Sequence, residues 1–134
     1  MIHVYVAGPY SQAANVRNIH RVLEHYGLVW TSRWAEEAAG PENLGAMPSE
    51  LRERVRLENH RGIYEADVVL VLGEAPMCET LVEVGVAVAR GVPIVWVEGG
   101  ARMPLSATCP SLCTAVANVL EGVGAMLEIT RRAA

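Results

Sequence analysis

Val68-Val69-Leu70-Val71-Leu72, then Cys78-Glu79-Thr80-Leu81-Val82-Glu83-Val84-Gly85-Val86-Ala87-Val88-Ala89-Arg90-Gly91, then Pro93-Ile94-Val95-Trp96-Val97 is the stretch that decides the fold. Two short, β-branched apolar runs flank a segment with helical spacing that ends at a glycine. That order is a βαβ unit, which requires the two strands to be parallel. Glu83 falls near the start of the helix, just beyond the carboxyl end of a strand. Open α/β sheets hold their ligands at that level.

Outward from this unit the same alternation recurs. Ile2–Ala7 reads as a first strand ending at the breaker pair Gly8-Pro9, and Gln12 to Tyr26 as a helix stopped by Gly27. Val16, Ile19, Val22 and Leu23 form its buried face. Leu28–Thr31 is a short second strand. Ala35 to Pro48 shows no period and reads as a loop or lid. Ser49 is the expected cap of a strongly charged helix reaching about Ala66. Leu112–Val116 is a candidate edge strand, and Asn118 caps a last helix whose Leu120, Val123, Leu127 and Ile129 are expected to face inward.

Strands alternating with helices predict a single α/β domain over residues 1–134. It is doubly wound, with a mostly parallel five-stranded sheet and helices on both faces. A flavodoxin-like (Rossmann-like) order, 2-1-3-4-5, sets the ends of strands one and three side by side. The turns at Gly8–Ser11 and Met77–Glu83 then flank one crevice.

Composition narrows the function. The net charge is -4 and there is no basic tract, which argues against a nucleic-acid groove. All 11 basic side chains are arginines, so a Walker A loop and a Schiff-base lysine are both excluded. No GxGxxG follows a candidate strand. The four histidines have no ligand spacing, so no metal and no cofactor is expected. Three cysteines without a paired framework suggest a reduced, cytoplasmic setting. No apolar run suits a bilayer, and a strand at residue 2 leaves no room for a signal peptide.

Two readings of Glu83 follow from its surroundings. Thr80-x-x-Glu83 has the spacing of a capping box, with the threonine as cap. Alternatively, a carboxylate held ionised by the helix dipole beside a crevice is the nucleophile that glycosyl chemistry uses. Spacing leaves both open. Tyr5 is either a core tyrosine or a hydroxyl that meets Glu83. Gly8, Pro9, Tyr10 and Ser11 make a strand-to-helix turn whose amides and serine suit an anion or a sugar hydroxyl. Trp34 is either core or a surface on which a base stacks.

Val4-Tyr5-Val6-Ala7-Gly8-Pro9-Tyr10-Ser11, Thr31-Ser32-Arg33-Trp34, Ala66–Leu72 and Thr80-Leu81-Val82-Glu83-Val84-Gly85, with Ala87-x-Ala89-x-Gly91-x-Pro93, together resemble the nucleoside 2-deoxyribosyltransferase-like family. That family includes a branch of nucleoside 5′-monophosphate N-glycosidases. The resemblance spans residues 2 to about 97, in the family's order. It implies that Glu83 attacks the anomeric carbon of a ribosyl or deoxyribosyl group and forms a glycosyl-enzyme ester. Tyr5 positions Glu83, and the Gly8–Ser11 turn belongs to the substrate pocket.

Two positions depart from the pattern. Asn59 stands where the family usually has an aspartate, so Glu58, His60 or Glu79 become the candidates to protonate the leaving base. Glu79 stands where glycine usually precedes Thr80. Arg102–Ala107 resembles a segment of the nucleotide-hydrolysing branch, which makes Ser106 a candidate phosphate contact to a neighbouring subunit in a homodimer or higher oligomer. Met77 replaces that branch's other phosphate serine. The expected partner is thus a small nucleoside or nucleotide. The competing expectation is a catalytically impaired nucleotide sensor on the same fold.

Overall fold

The computed structural model describes residues 1–37, 48–103 and 111–134. Five strands, β1 (His3–Ala7), β2 (Val29–Trp30), β3 (Val68–Gly73), β4 (Ile94–Glu98) and β5 (Cys113–Val116), form one sheet in the order β2-β1-β3-β4-β5. Every neighbouring pair is parallel. The order is the one the sequence predicts, and the strand bounds agree to within a residue or two. Parallel strands are covered on both faces and therefore read as unbroken apolar runs. All six residues of β3 are buried.

Between them lie α1 (Ala13–His25), α2 (Trp34–Glu37), α3 (Ser49–Glu65), α4 (Cys78–Arg90) and α5 (Val119–Ala133). A 3-10 turn, Tyr10–Gln12, joins β1 to α1. The first crossover runs from β1 to β2 and the later ones run the other way. Right-handed connections therefore put α1 on one face and α3 and α4 on the opposite face. Side-chain alternation agrees. A β-carbon on Gly62 of α3 would sit 2.9 Å from the Tyr5 ring, whereas one on Gly122 of α5 would sit 3.2 Å from Leu70. Val69, not Leu70, is the register partner of Tyr5, so Leu70 points to the other face.

Gly62 brings α3 down onto β1. The same β-carbon would lie 2.7 Å from the Thr31 carbonyl oxygen, and Thr31 Oγ1 donates to the Gly62 carbonyl at 2.7 Å. Gly91 ends α4 in the left-handed conformation, φ 68°, with its amide bonded to Val88 O.

Three local expectations are corrected. Ser49 does not cap α3: Pro48 occupies that position, extended at φ -53° and ψ 143°, and Ser49 is the first helical residue. Thr80 does not cap α4 either. The helix begins at Cys78 with Met77 at the cap, and Leu81 N bonds Met77 O at 2.7 Å. The capping-box reading of Thr80 and Glu83 therefore fails, and Glu83 sits in the second turn. In α5, Leu120 and Leu127 face outward, 63% and 38% exposed, while Gly122, Val123 and Met126 are buried. Asn118 caps α5 as expected, accepting from Glu121 N at 2.9 Å, and Glu121 Oε2 accepts from Ala117 N at 3.0 Å.

Part of the segment read as a loop after Trp34 is the short helix α2; residues 38–47 lie outside the described residues. A buried polar network anchors that helix. His20 of α1 shares hydrogen bonds with Glu36 (2.9 Å) and with Ser32 (2.7 Å), and it stacks on Trp30 at 4.2 Å. Burial lowers the His20 pKa, against an opposing pull from the Glu36 carboxylate. Among the described residues no helix is long and apolar enough to cross a membrane, and no cluster of His, Cys, Asp and Glu is arranged to hold a metal.

Candidate active site

The strand order reverses between β1 and β3, because the chain leaves β1 for β2 on one side and leaves β3 for β4 on the other. Above that point α3 and α4 frame a cleft of about 400 Å³, a size suited to a small molecule. Tyr10, Arg52, Val55, Arg56, Asn59, His60, Glu79, Val82 and Glu83 line it.

Glu83 comes from the buried face of α4 and is only 6% exposed. Tyr5, on β1 beneath α3, is fully buried. Thr80, one turn before Glu83, is also fully buried. Tyr5 Oη, Thr80 Oγ1 and Glu83 Oε2 have no hydrogen-bond partner, and they are the buried side-chain polar atoms of which this holds among the described residues. Folded proteins satisfy such groups almost everywhere else. Of the three, Glu83 lines the cleft, while Tyr5 and Thr80 are fully buried outside its lining.

The electrostatics follow from this burial. Desolvation pushes the Glu83 pKa up to about 8, against an opposing pull from the Tyr5 hydroxyl and a smaller push from the Glu79 carboxylate. The expectation that the helix dipole keeps Glu83 ionised is thus corrected, because loss of water outweighs the dipole this deep. Tyr5 is raised well above its ordinary value, first by burial and then by the Glu83 charge. The two groups influence each other without a completed hydrogen bond. Tyr10 is also raised, by burial and then by Glu83, and the Asn59 amide in polar contact with its hydroxyl partly offsets this.

The sequence-predicted residues divide accordingly. Glu83, Asn59, Tyr10 and Glu79 line the cleft, and Tyr5 and Thr80 are fully buried outside its lining. Gly8 and Pro9 are buried in the turn that delivers Tyr10, and Ser11 is exposed outside the cleft lining. Trp34 does not reach the cleft. Its indole donates to Val6 O at 2.9 Å, and its ring packs on Tyr10 at 5.2 Å, so it supports Tyr10 from behind. Of the candidate acids, His60 and Glu79 line the cleft, while Glu58 pairs with Arg54 at 3.8 Å outside it. Ser106 lies outside the described residues.

Arg52, Val55, Arg56 and Val82 complete the lining and were not anticipated. The signal was present: residues 52, 55, 56 and 59 recur at i, i+3, i+4 and i+7, so a helix that presents Asn59 to the cleft presents both arginines too.

Comparison with solved structures gives the fold independently. The 2-deoxyribosyltransferase from Bacillus psychrosaccharolyticus matches with a TM-score of 0.71 at 21% identity, over 90% of this chain and 89% of that one. The Clostridium botulinum CMP N-glycosidase BcmB matches with a TM-score of 0.61 at 14% identity, over 92% of this chain and 97% of its own. BlsM, known from its solution structure, matches with a TM-score of 0.62 at 18% identity, over 92% and 86%. No protein-family model and no curated protein matches the chain. The chain has the fold of a 2-deoxyribosyltransferase and of a CMP N-glycosidase, the two activities of the family that its motifs resemble.

Proposed function

We propose that this protein cleaves or transfers the N-glycosidic bond of a nucleoside or nucleoside 5′-monophosphate, with Glu83 as covalent nucleophile. The observation that carries the reading is the buried Glu83 carboxyl in the cleft lining, with Oε2 unpartnered and the Tyr5 hydroxyl, also unpartnered, beside it. A structural carboxylate buried this deeply would be expected to have its oxygens bonded.

In this mechanism ionised Glu83 attacks the anomeric carbon as the base departs, through an oxocarbenium-like transition state. The Tyr5 hydroxyl, already opposite the carboxyl, steadies its charged form. The ester on Glu83 is then resolved by water in a hydrolase or by a second base in a transferase. Asn59 orients the substrate through its amide, which can donate a hydrogen bond but is too weak an acid to protonate the departing base. The same residue favours a second reading, a binding protein with weakened turnover.

A panel of nucleosides and their monophosphates, incubated with and without a second free base and resolved by chromatography, tests the proposal. Release of free base from at least one substrate supports an enzyme, and new nucleoside in the presence of a second base marks a transferase. Binding of a nucleotide with no release from any substrate would replace the enzyme reading with the sensor.

A further inference from the structure

If Asn59 cannot donate a proton, the charge that develops on the departing base must be met by another group in the cleft. The lining offers two cations on one face of α3, Arg52 and Arg56, one turn apart. Their surroundings differ. Arg56 Nε and Nη2 both donate to Glu53, and Arg54 and Arg61 pair with Glu58 and Glu65. Arg52 has no carboxylate partner among the described residues. It is a guanidinium at the cleft with no side-chain partner among the described residues.

The lining also carries two apolar side chains among its polar ones. Val55 of α3 and Val82 of α4 line the same cleft, and Val82 is 55% exposed. Two valines on facing helices make a slot for a flat ring. Asn59, Arg56 and Arg52 form a column along α3. It starts beside Tyr10, in the field of Glu83, and rises about 5 and then about 10 Å along the helix axis. A purine held between the valines with its glycosidic nitrogen toward Glu83 can turn its O6/N7 edge along α3, toward the arginines.

Resting on the reading of Glu83 as nucleophile, we infer that Arg52, seconded by Arg56, binds the O6/N7 edge of the departing base and makes a 6-oxopurine the preferred leaving group. A guanidinium donates two parallel hydrogen bonds, and the adjacent O6 and N7 acceptors of a 6-oxopurine match that fork. A 6-aminopurine replaces the O6 acceptor with a donor and is repelled. In the chemical step the bond from the anomeric carbon to Glu83 forms as the bond to N9 breaks. The electron pair leaves with the base, its charge spreads toward N7 and O6 under the guanidinium, and water then supplies the proton.

The test compares 2′-deoxyinosine with 2′-deoxyadenosine, and each with its 5′-monophosphate, in the wild type, Arg52→Gln and Arg56→Gln. The matched pair differs in the purine-ring chemistry that the arginines would read. Base release from the oxopurine should exceed that from the aminopurine by about tenfold or more in kcat/KM, and Arg52→Gln should bring the ratio near one. Loss of a preference for the monophosphate, with the base ratio intact, would assign the arginine to the phosphate and overturn the inference. An equal fall on both bases, or faster release of adenine by the wild type, would also overturn it while leaving Glu83 as nucleophile. No release from any substrate would remove the enzyme reading and this inference with it.

Discussion

The Tyr5 hydroxyl and the Glu83 carboxyl are buried against each other across β1 and α4, and each leaves a polar atom without a partner. Their mutual influence is visible in both pKa shifts: the hydroxyl pulls Glu83 down while the Glu83 charge pushes Tyr5 up. The chemistry proposed for the site depends on that pairing.

A pH profile reads it directly. The nucleophile is the carboxylate, and Glu83 titrates near about 8 in the free protein. The rate constant kcat/KM is therefore expected to rise with pH and level off above about 8. Tyr5→Phe removes the group that favours the ionised form. Its profile should move to higher pH, and kcat should fall by about tenfold or more. An unmoved profile would show that Tyr5 only fills space.

Glu79 makes the opposite prediction. Its charge adds to the elevation of the Glu83 pKa. Glu79→Gln should shift the same profile toward lower pH, with activity gained at neutral pH. The residue that looked out of place in the sequence would then act as a pH setter, and an alkaline shift would contradict this.

The cost of burying Glu83 is measurable without substrate. Its folded pKa lies above the ordinary carboxylate value, so the folded chain holds a proton that the unfolded chain has lost. Stability from this group is therefore lost as pH rises from about 4.5 to about 8. Glu83→Gln removes the penalty. Thermal melts should show wild type and variant nearly equal at pH 4, with the variant higher by about 4 °C or more at pH 8. A variant less stable than wild type at pH 8 would mean the carboxylate is well solvated or paired.

Much of this arrangement was legible in the chain. Unbroken apolar runs at Val68–Leu72 and Ile94–Val97 announce doubly covered parallel strands, and from them the sheet order and the place of Glu83 follow. Other features leave no local trace. Thr80-x-x-Glu83 has a capping-box spacing, but α4 starts two residues earlier, and only the three-dimensional start decides. Leu120 and Leu127 look like core, yet the helix turns Gly122 to the sheet because the absence of a side chain permits close approach. Depth of burial, which sets the Glu83 pKa, is a property of the packed fold. The arginines of α3 were overlooked because a charged helix reads as solvated.

Packing beneath the site should be intolerant of even one methyl group. A β-carbon at Gly62 would meet both the Thr31 carbonyl and the Tyr5 ring. Gly62→Ala should cost about 2 kcal/mol or more in chemical denaturation and should displace Tyr5. A neutral substitution would mean that α3 can shift away from β1.

Intact-protein mass spectrometry on an acid-quenched reaction is the most direct test of Glu83. With a substrate that releases base, the wild type should carry one additional glycosyl group, located on the peptide that contains Glu83. Glu83→Ala should carry none, with base release reduced at least about 10³-fold. Base release that persists in Glu83→Ala, or a glycosyl group found on another residue, would contradict the account.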